Sequence, residues 1–170
     1  MKKTLLLILF LGTFSGWACL CPPPGRLDDA RQREIQSSDI IVIADVFEIN
    51  KSDHTFKVRI IEVFKGKTKK GKIMMIKNWR FCEPNVDKNG KWLIYSSIID
   101  GSLYVNDCGL TRSFRHPENN SHFFIPRIPP FNISKSRLIR FDKREIRRIK
   151  RIAPRMLKKE VALLRRIASS

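Results

Sequence analysis

Five short segments with the residue preferences of β-strands lie between positions 39 and 108, and they constrain the fold more than any other feature of the chain. They are rich in β-branched and aromatic residues, and turn signals such as Lys65-Gly66-Lys67 and Asp100-Gly101 separate them. The pattern predicts a mainly β protein, a small closed antiparallel barrel rather than a sandwich, since closure leaves no exposed strand edge. A short helix is predicted before the first strand, at Leu27–Ser38. The predicted strands are Asp39–Asn50, Thr55–Phe64, Lys72–Trp79, Trp92–Ile98 and Ser102–Cys108.

The first eighteen residues match a secretory signal peptide. Lys2 and Lys3 precede an apolar run from Leu5 to Leu11, and the small residues Gly16 and Ala18 precede the predicted cleavage site. The mature chain is therefore expected to begin at Cys19 and to be secreted or periplasmic. No run approaches the ~20 apolar residues of a spanning helix, so the sequence predicts export without a membrane anchor.

A bacterial lipoprotein signal is the alternative for the same residues. The segment Gly16-Trp17-Ala18-Cys19 is a poor version of that signal, which prefers an aliphatic residue where Gly16 stands. Lipidation would acylate the Cys19 amine and use its thiol. One member of an even set of cysteines would then remain unpaired, which disfavours this interpretation.

The four cysteines are Cys19, Cys21, Cys82 and Cys108. Outside the cytoplasm they are expected to form two disulfides, for which three pairings exist. Cys19 and Cys21 are one residue apart and are not expected to bond each other, so each should reach a distant partner. A four-thiolate zinc site is disfavoured, because the usual two-residue spacer is missing from both halves.

Positive charge is concentrated near the C-terminus. Positions 19–111 carry 15 Lys and Arg against 12 Asp and Glu, whereas positions 112–170 carry 17 against 4. This tail is expected to meet polyanions such as anionic lipid or acidic polysaccharide, and export makes nucleic acid the least expected of them. The first part has the charge balance of an ordinary globular surface.

The tail divides into a linker at 115–135, with Pro117, Pro126, Pro129 and Pro130, and a basic amphipathic helix at 136–170. Asp142 and Glu145 are interpreted as a capping box at the start of a helix, and Pro154 is predicted to end or restart it. Two roles are open for its apolar stripe, which either packs on the barrel or lies on a membrane surface.

The order of several short motifs resembles the inhibitory domain of the tissue inhibitors of metalloproteinases. The similarity covers about ninety residues, from Cys19 to Phe114, and no single piece of it is specific. The motifs are Cys19-Leu20-Cys21-Pro22-Pro23, Ser38-Asp39-Ile40-Ile41-Val42, the strand from Phe56 to Gly66, Cys82, Trp92-Leu93-Ile94-Tyr95, Asp100-Gly101-Ser102-Leu103-Tyr104 and Cys108.

The resemblance implies a netrin-like oligonucleotide/oligosaccharide-binding barrel at 19–114 with disulfides Cys19–Cys82 and Cys21–Cys108. It also implies that the amine and carbonyl of Cys19 chelate the catalytic zinc of a target protease while Leu20 enters its specificity pocket. Further contacts are implied for the residues just before Cys82 and just before Cys108. A simpler interpretation is that these are ordinary loop and strand-end residues. The contact residues are Cys19, Leu20, Cys21, Pro22, Trp79, Arg80, Phe81, Asn106 and Asp107.

The chain lacks the third disulfide and the cysteine-rich second half of the animal proteins, so it is closer to short secreted bacterial relatives. No Ser/His/Asp arrangement, phosphate loop or pair of acids suggests an enzyme, and no cofactor is expected. Two functions follow from the sequence. One is inhibition of an extracellular zinc metalloprotease, and the other is a binding module of the cell envelope that uses the barrel surface and the basic tail.

Overall fold

All five predicted strands are present in the computed structural model, which describes residues 26–79, 85–106, 108–120 and 127–170, and their ends lie within three residues of the predicted ones. They are β1 (Ile40–Asn50), β2 (Thr55–Lys65), β3 (Ile73–Lys77), β4 (Gly90–Ile99) and β5 (Ser102–Val105), followed by a two-residue β6 (Arg112–Ser113). Two helices, α1 (Leu27–Ser37) and α2 (Lys135–Ala168), and a 3-10 turn at Pro117–Asn119 are the other described elements.

The barrel is closed by hydrogen bonding in the order β1-β2-β3-β5-β4, with β4 pairing back onto β1. The pairing of β3 with β5 is parallel, with Lys77 opposite Tyr104, and the other pairs are antiparallel. The prediction of a wholly antiparallel barrel was wrong on this point. A ring of five strands cannot reverse direction at every step, so one neighbouring pair has to be parallel.

The barrel interior is apolar, as the alternation along the strands requires. Every second residue of β1 points inward and meets side chains of the other strands across the barrel. The interior residues include Ile40, Val42, Ala44 and Val46 of β1, Phe56, Val58 and Ile60 of β2, Ile76 of β3, Trp92 and Ile94 of β4, and Val105 of β5.

A second apolar layer lies outside the barrel, between its wall and helix α2. Ile41 and Ile43 of β1 and Leu93 of β4 are fully buried there. They pack against one face of α2, formed by Ala153, Leu157, Val161 and Leu164. The prediction that β1 is buried on both faces is therefore confirmed, and α2 is the element that covers its outer face.

Two details of the predicted helix were wrong. Pro154 neither ends nor restarts it, because α2 runs unbroken for 34 residues with Pro154 inside. An interior proline costs a helix about 3 kcal/mol, but the buried Ala153 and Leu157 on either side of Pro154 hold both flanking turns on the barrel. Asp142 and Glu145 do not form a capping box, since α2 starts at Lys135 after Ser134 and Glu145 binds Arg148 in the helix interior.

Candidate functional site

Of the predicted contact residues, Trp79 and Asn106 are described, and so is the cysteine Cys108. Trp79 and Asn106 line one groove of about 170 Å³ at the end of β5. The structure therefore brings together two residues that the sequence places twenty-seven positions apart. The other predicted contacts and cysteines lie outside the described residues: Cys19, Leu20, Cys21, Pro22, Arg80, Phe81, Cys82 and Asp107.

One wall of this groove is aromatic and bears a cation. The rings of Trp79 and Tyr104 have centroids 4.8 Å apart with an angle of 31° between their planes. Lys77 Nζ lies 5.4 Å from the Tyr104 ring centroid and donates a hydrogen bond to Ser102 Oγ over 3.1 Å. Stacked rings and a cation over one ring face attract each other. These side-chain contacts therefore add to the single backbone pair, Lys77 with Tyr104, that is described between β3 and β5.

The Asn106 side chain also lines the groove and is bonded on both of its polar atoms. Its Oδ1 accepts from Ser97 Oγ at 2.6 Å, and its Nδ2 donates to Ser38 Oγ at 2.8 Å and to Glu34 Oε1 at 3.3 Å. Asn106 thus connects α1, β4 and Ser38, the residue that follows α1. These bonds fix the Asn106 amide within the fold, and its role as a contact for a target stays a prediction.

The loop at 106–110 is held against α1 through Glu34. Glu34 Oε1 accepts from the backbone N–H of Leu110 at 3.3 Å in addition to its bond with Asn106. Gly109 permits this approach, since a Cβ at that position would stand 2.5 Å from Glu34 Oε1 and 2.7 Å from the Asn106 carbonyl oxygen. No local pattern in the sequence predicts this role of Glu34, because the residues it bonds lie more than seventy positions away.

Cys108 lies in the middle of this loop and is disulfide-bonded. Its backbone has a φ of +52°, in the left-handed region that residues with a side chain rarely adopt. The Glu34 contacts on either side and the disulfide hold it in this conformation. Since the three other cysteines lie outside the described residues, the pairing of Cys108 with Cys21 stays a prediction.

A buried charged cluster lies between the barrel and α2. Glu160 of α2 accepts from Tyr95 Oη at 2.5 Å and from Arg112 Nη2, and Arg31 Nε of α1 lies 3.5 Å from its Oε2. Glu160 and Arg112 are each 1% exposed. Burial lowers the pKa of Arg112 to about 10 and raises the pKa of Tyr95 above its usual range. The cluster connects both helices to the barrel.

A larger cleft of about 440 Å³ lies beside Trp92 and the 3-10 turn, with Asp87, Lys88, His116 and Asn119 in its walls. Trp92 Nε1 already donates to the Lys88 carbonyl oxygen at 2.9 Å. His116 Nδ1 is 3.6 Å from Glu118. No group of three metal-binding side chains is present in the described part of the chain, here or elsewhere. The cleft therefore combines the Trp92 ring with polar side chains.

Comparison with known proteins adds no relative. The chain matches no protein-family model, and a search of curated proteins finds no significant match. Among the described residues, no helix is long and apolar enough to span a bilayer.

Proposed function

We propose that this chain is an exported, non-enzymatic inhibitor of zinc metalloproteases. In this proposal the signal peptide is removed after Ala18, and the amine and carbonyl of Cys19 cap the catalytic zinc of the target. Leu20 enters the specificity pocket of that protease. Disulfides Cys19–Cys82 and Cys21–Cys108 hold the terminus on the barrel.

The observation that carries the proposal is the place of Cys108. This disulfide-bonded residue sits in a loop fixed to α1, two residues from the groove that Trp79 and Asn106 share. A chain terminus bonded to that loop through Cys21 would lie next to the aromatic wall. The closed five-stranded barrel is consistent with an oligonucleotide/oligosaccharide-binding fold and supports the proposal as its scaffold.

The proposed chemistry needs two atoms of one residue. An α-amine has a pKa of about 7.7 to 8.0 and loses its proton readily to a divalent ion, so it becomes a neutral nitrogen ligand near neutral pH. The adjacent carbonyl oxygen supplies the second ligand. Together they would displace the water that a catalytic zinc keeps in its open position, and that water is the nucleophile of the protease.

The neighbouring residues have different roles in the proposal. Pro22 stiffens the chain after Cys21, and Arg80, Phe81 and Asp107 extend the contact surface around the terminus. Asn106 keeps the loop and the groove in place through its bonds to Ser97, Ser38 and Glu34.

The test compares the processed protein with a form that carries one additional alanine before Cys19. We expect the extended form to lose at least about a hundredfold in inhibition of a responsive extracellular zinc protease, because an amide nitrogen replaces the free amine. A form with one alanine added after Ser170 is the matched control and should inhibit as the unextended protein does. Equal inhibition by the two N-terminal forms, or no inhibition of any zinc protease in a broad panel, would contradict the proposal.

A further inference from the structure

The start of α2 extends away from the part of the helix that packs on the barrel. Among the described residues, the first buried position of α2 is Glu145, ten residues after Lys135. At 1.5 Å per residue the first turns therefore extend about 15 Å beyond it. We name residues 127–141, which comprise these turns and the segment before them, the α2 tip.

Glu145 binds Arg127, the first residue of the α2 tip, to the helix. Its Oε2 accepts from the backbone N–H of Arg127 at 3.4 Å and from Arg148 Nε at 2.9 Å. From Arg127 the chain passes Pro129 and Pro130 and turns at Asn132, whose φ is +64°, before α2 begins at Lys135. The bond from Arg127 to Glu145 therefore ties the start of the tip to the helix.

Large apolar side chains at the α2 tip are open to solvent. Ile128 is 84% exposed, Phe131 is 94% exposed and Ile139 is 46% exposed. Exposure of Phe and Ile to this degree at the end of a projection is unfavourable in water and is typical of surfaces that insert into an apolar phase.

The charge of the same segment is entirely positive. Residues 127–141 contain Arg127, Lys135, Arg137 and Arg140 and no Asp or Glu. A soluble polyanion would use these cations but would leave Ile128 and Phe131 in water. An anionic bilayer uses both, because phosphate groups meet the cations while the apolar side chains enter the acyl region.

We propose that the α2 tip binds the surface of anionic phospholipid membranes, with Ile128 and Phe131 inserted and the four cations in the headgroup layer. No residue of the tip is among the residues that line the groove of Trp79 and Asn106. The inference goes beyond the inhibitor proposal and does not depend on it.

The experiment measures co-sedimentation of the full exported protein with vesicles of phosphatidylcholine alone or with an equal part of phosphatidylglycerol. Binding is expected only to the anionic vesicles. The double variant Ile128→Ser and Phe131→Ser should lose at least about tenfold in partitioning, with unchanged circular dichroism. Its matched control is Ile73→Ser with Ile98→Ser, two barrel isoleucines with exposures of 52% and 56%, and it should bind normally.

A second pair of variants tests the charges. Arg137→Gln with Arg140→Gln should weaken binding by about fivefold per charge. Lys69→Gln with Lys70→Gln removes the same charge from an exposed loop of the barrel and should leave binding unchanged.

Three results would overturn the inference. The first is equal binding to both kinds of vesicle. The second is binding to a soluble polyanion such as heparin that is insensitive to the Ile128 and Phe131 substitutions, without binding to anionic vesicles. The third is concentration-dependent self-association that these substitutions abolish, again without vesicle binding, since a second copy of the chain would then cover the tip.

Discussion

The two ends of helix α2 carry the same apolar stripe in different surroundings. Ala153, Leu157 and Leu164 are buried on the barrel wall, whereas Ile139 and Ile146, seven residues apart on the same face and in line with Ala153, are 46% and 54% exposed. The acidic residues differ as well, because Glu160 is buried against Arg112 and Glu145 against Arg148, while Asp142, nearer the start of the helix, is exposed. An amphipathic pattern therefore predicts that one face of the helix is buried. Which part of that face the barrel buries depends on the tertiary structure.

The largest expected effect comes from the buried carboxylate of the packed half. Glu160→Ala removes the acceptor of Tyr95 and the carboxylate that faces Arg112, and the loss of one partner of a buried pair costs about 3 to 5 kcal/mol. The midpoint of thermal unfolding should fall by about 10 °C in a chain of this size. Asp142→Ala, the matched control, removes the same charge from the exposed half and should change stability by less than about 0.5 kcal/mol. Similar losses in the two variants would contradict this account of the packed half.

A polar substitution on the stripe tests the comparison directly. Leu157→Ser is expected to cost about 3 kcal/mol or more, because it removes a buried side chain and places a hydroxyl in the outer apolar layer. Ile146→Ser on the same stripe should cost less than about 0.5 kcal/mol, since the side chain is already half in solvent. Denaturant unfolding of the two variants measures the difference. A large loss for Ile146→Ser would mean that the projecting half is also covered.

The smallest expected effect belongs to an ion pair at the rim of the packed half. Arg165 donates from Nε and Nη2 to both oxygens of Glu62 at 2.8 and 2.9 Å, and this hydrogen bonding holds the pKa of Glu62 below its usual range. Because the folded pKa is lowered, the stabilisation is complete above the ordinary glutamate value of about 4.3 and is lost as the pH falls through the lowered value. Both side chains are partly exposed, so its size is at most about 1 kcal/mol.

Comparing the unfolding free energies of the unmodified chain and Glu62→Gln at neutral pH and near pH 2.5 tests this effect. The difference should be present at neutral pH and vanish in acid. A difference of equal size at both pH values would exclude the ion pair as its source.

The barrel could be predicted from the sequence because alternation and turn residues are local signals. β1 and β2 begin within one residue of their predicted starts, since Ile40–Ala44 are continuously apolar and Lys57 and Arg59 alternate with Phe56 and Val58. The parallel pairing of β3 with β5 was missed because it depends on the closure of the whole ring rather than on either strand.

The helix shows where local signals fail. Pro154 is a strong local signal for the end of a helix, yet the burial of Ala153 and Leu157 outweighs the cost of this proline. The Glu160 cluster joins residues from four elements, and no spacing in the sequence relates them. At the candidate site, the sequence identified Trp79 and Asn106 as neighbours through the resemblance. It did not identify Glu34, Ser38 and Ser97, because their role is to bond Asn106 and appears only when α1, β4 and the loop at 106–110 come together.

Peptide mapping of the exported protein without reduction tests the central claim most directly. The inhibitor proposal predicts a mature chain whose first residue is Cys19 with a free amine, one disulfide joining Cys19 to Cys82 and a second joining Cys21 to Cys108. A different first residue, an acylated terminus, or Cys108 joined to any cysteine other than Cys21 would contradict it.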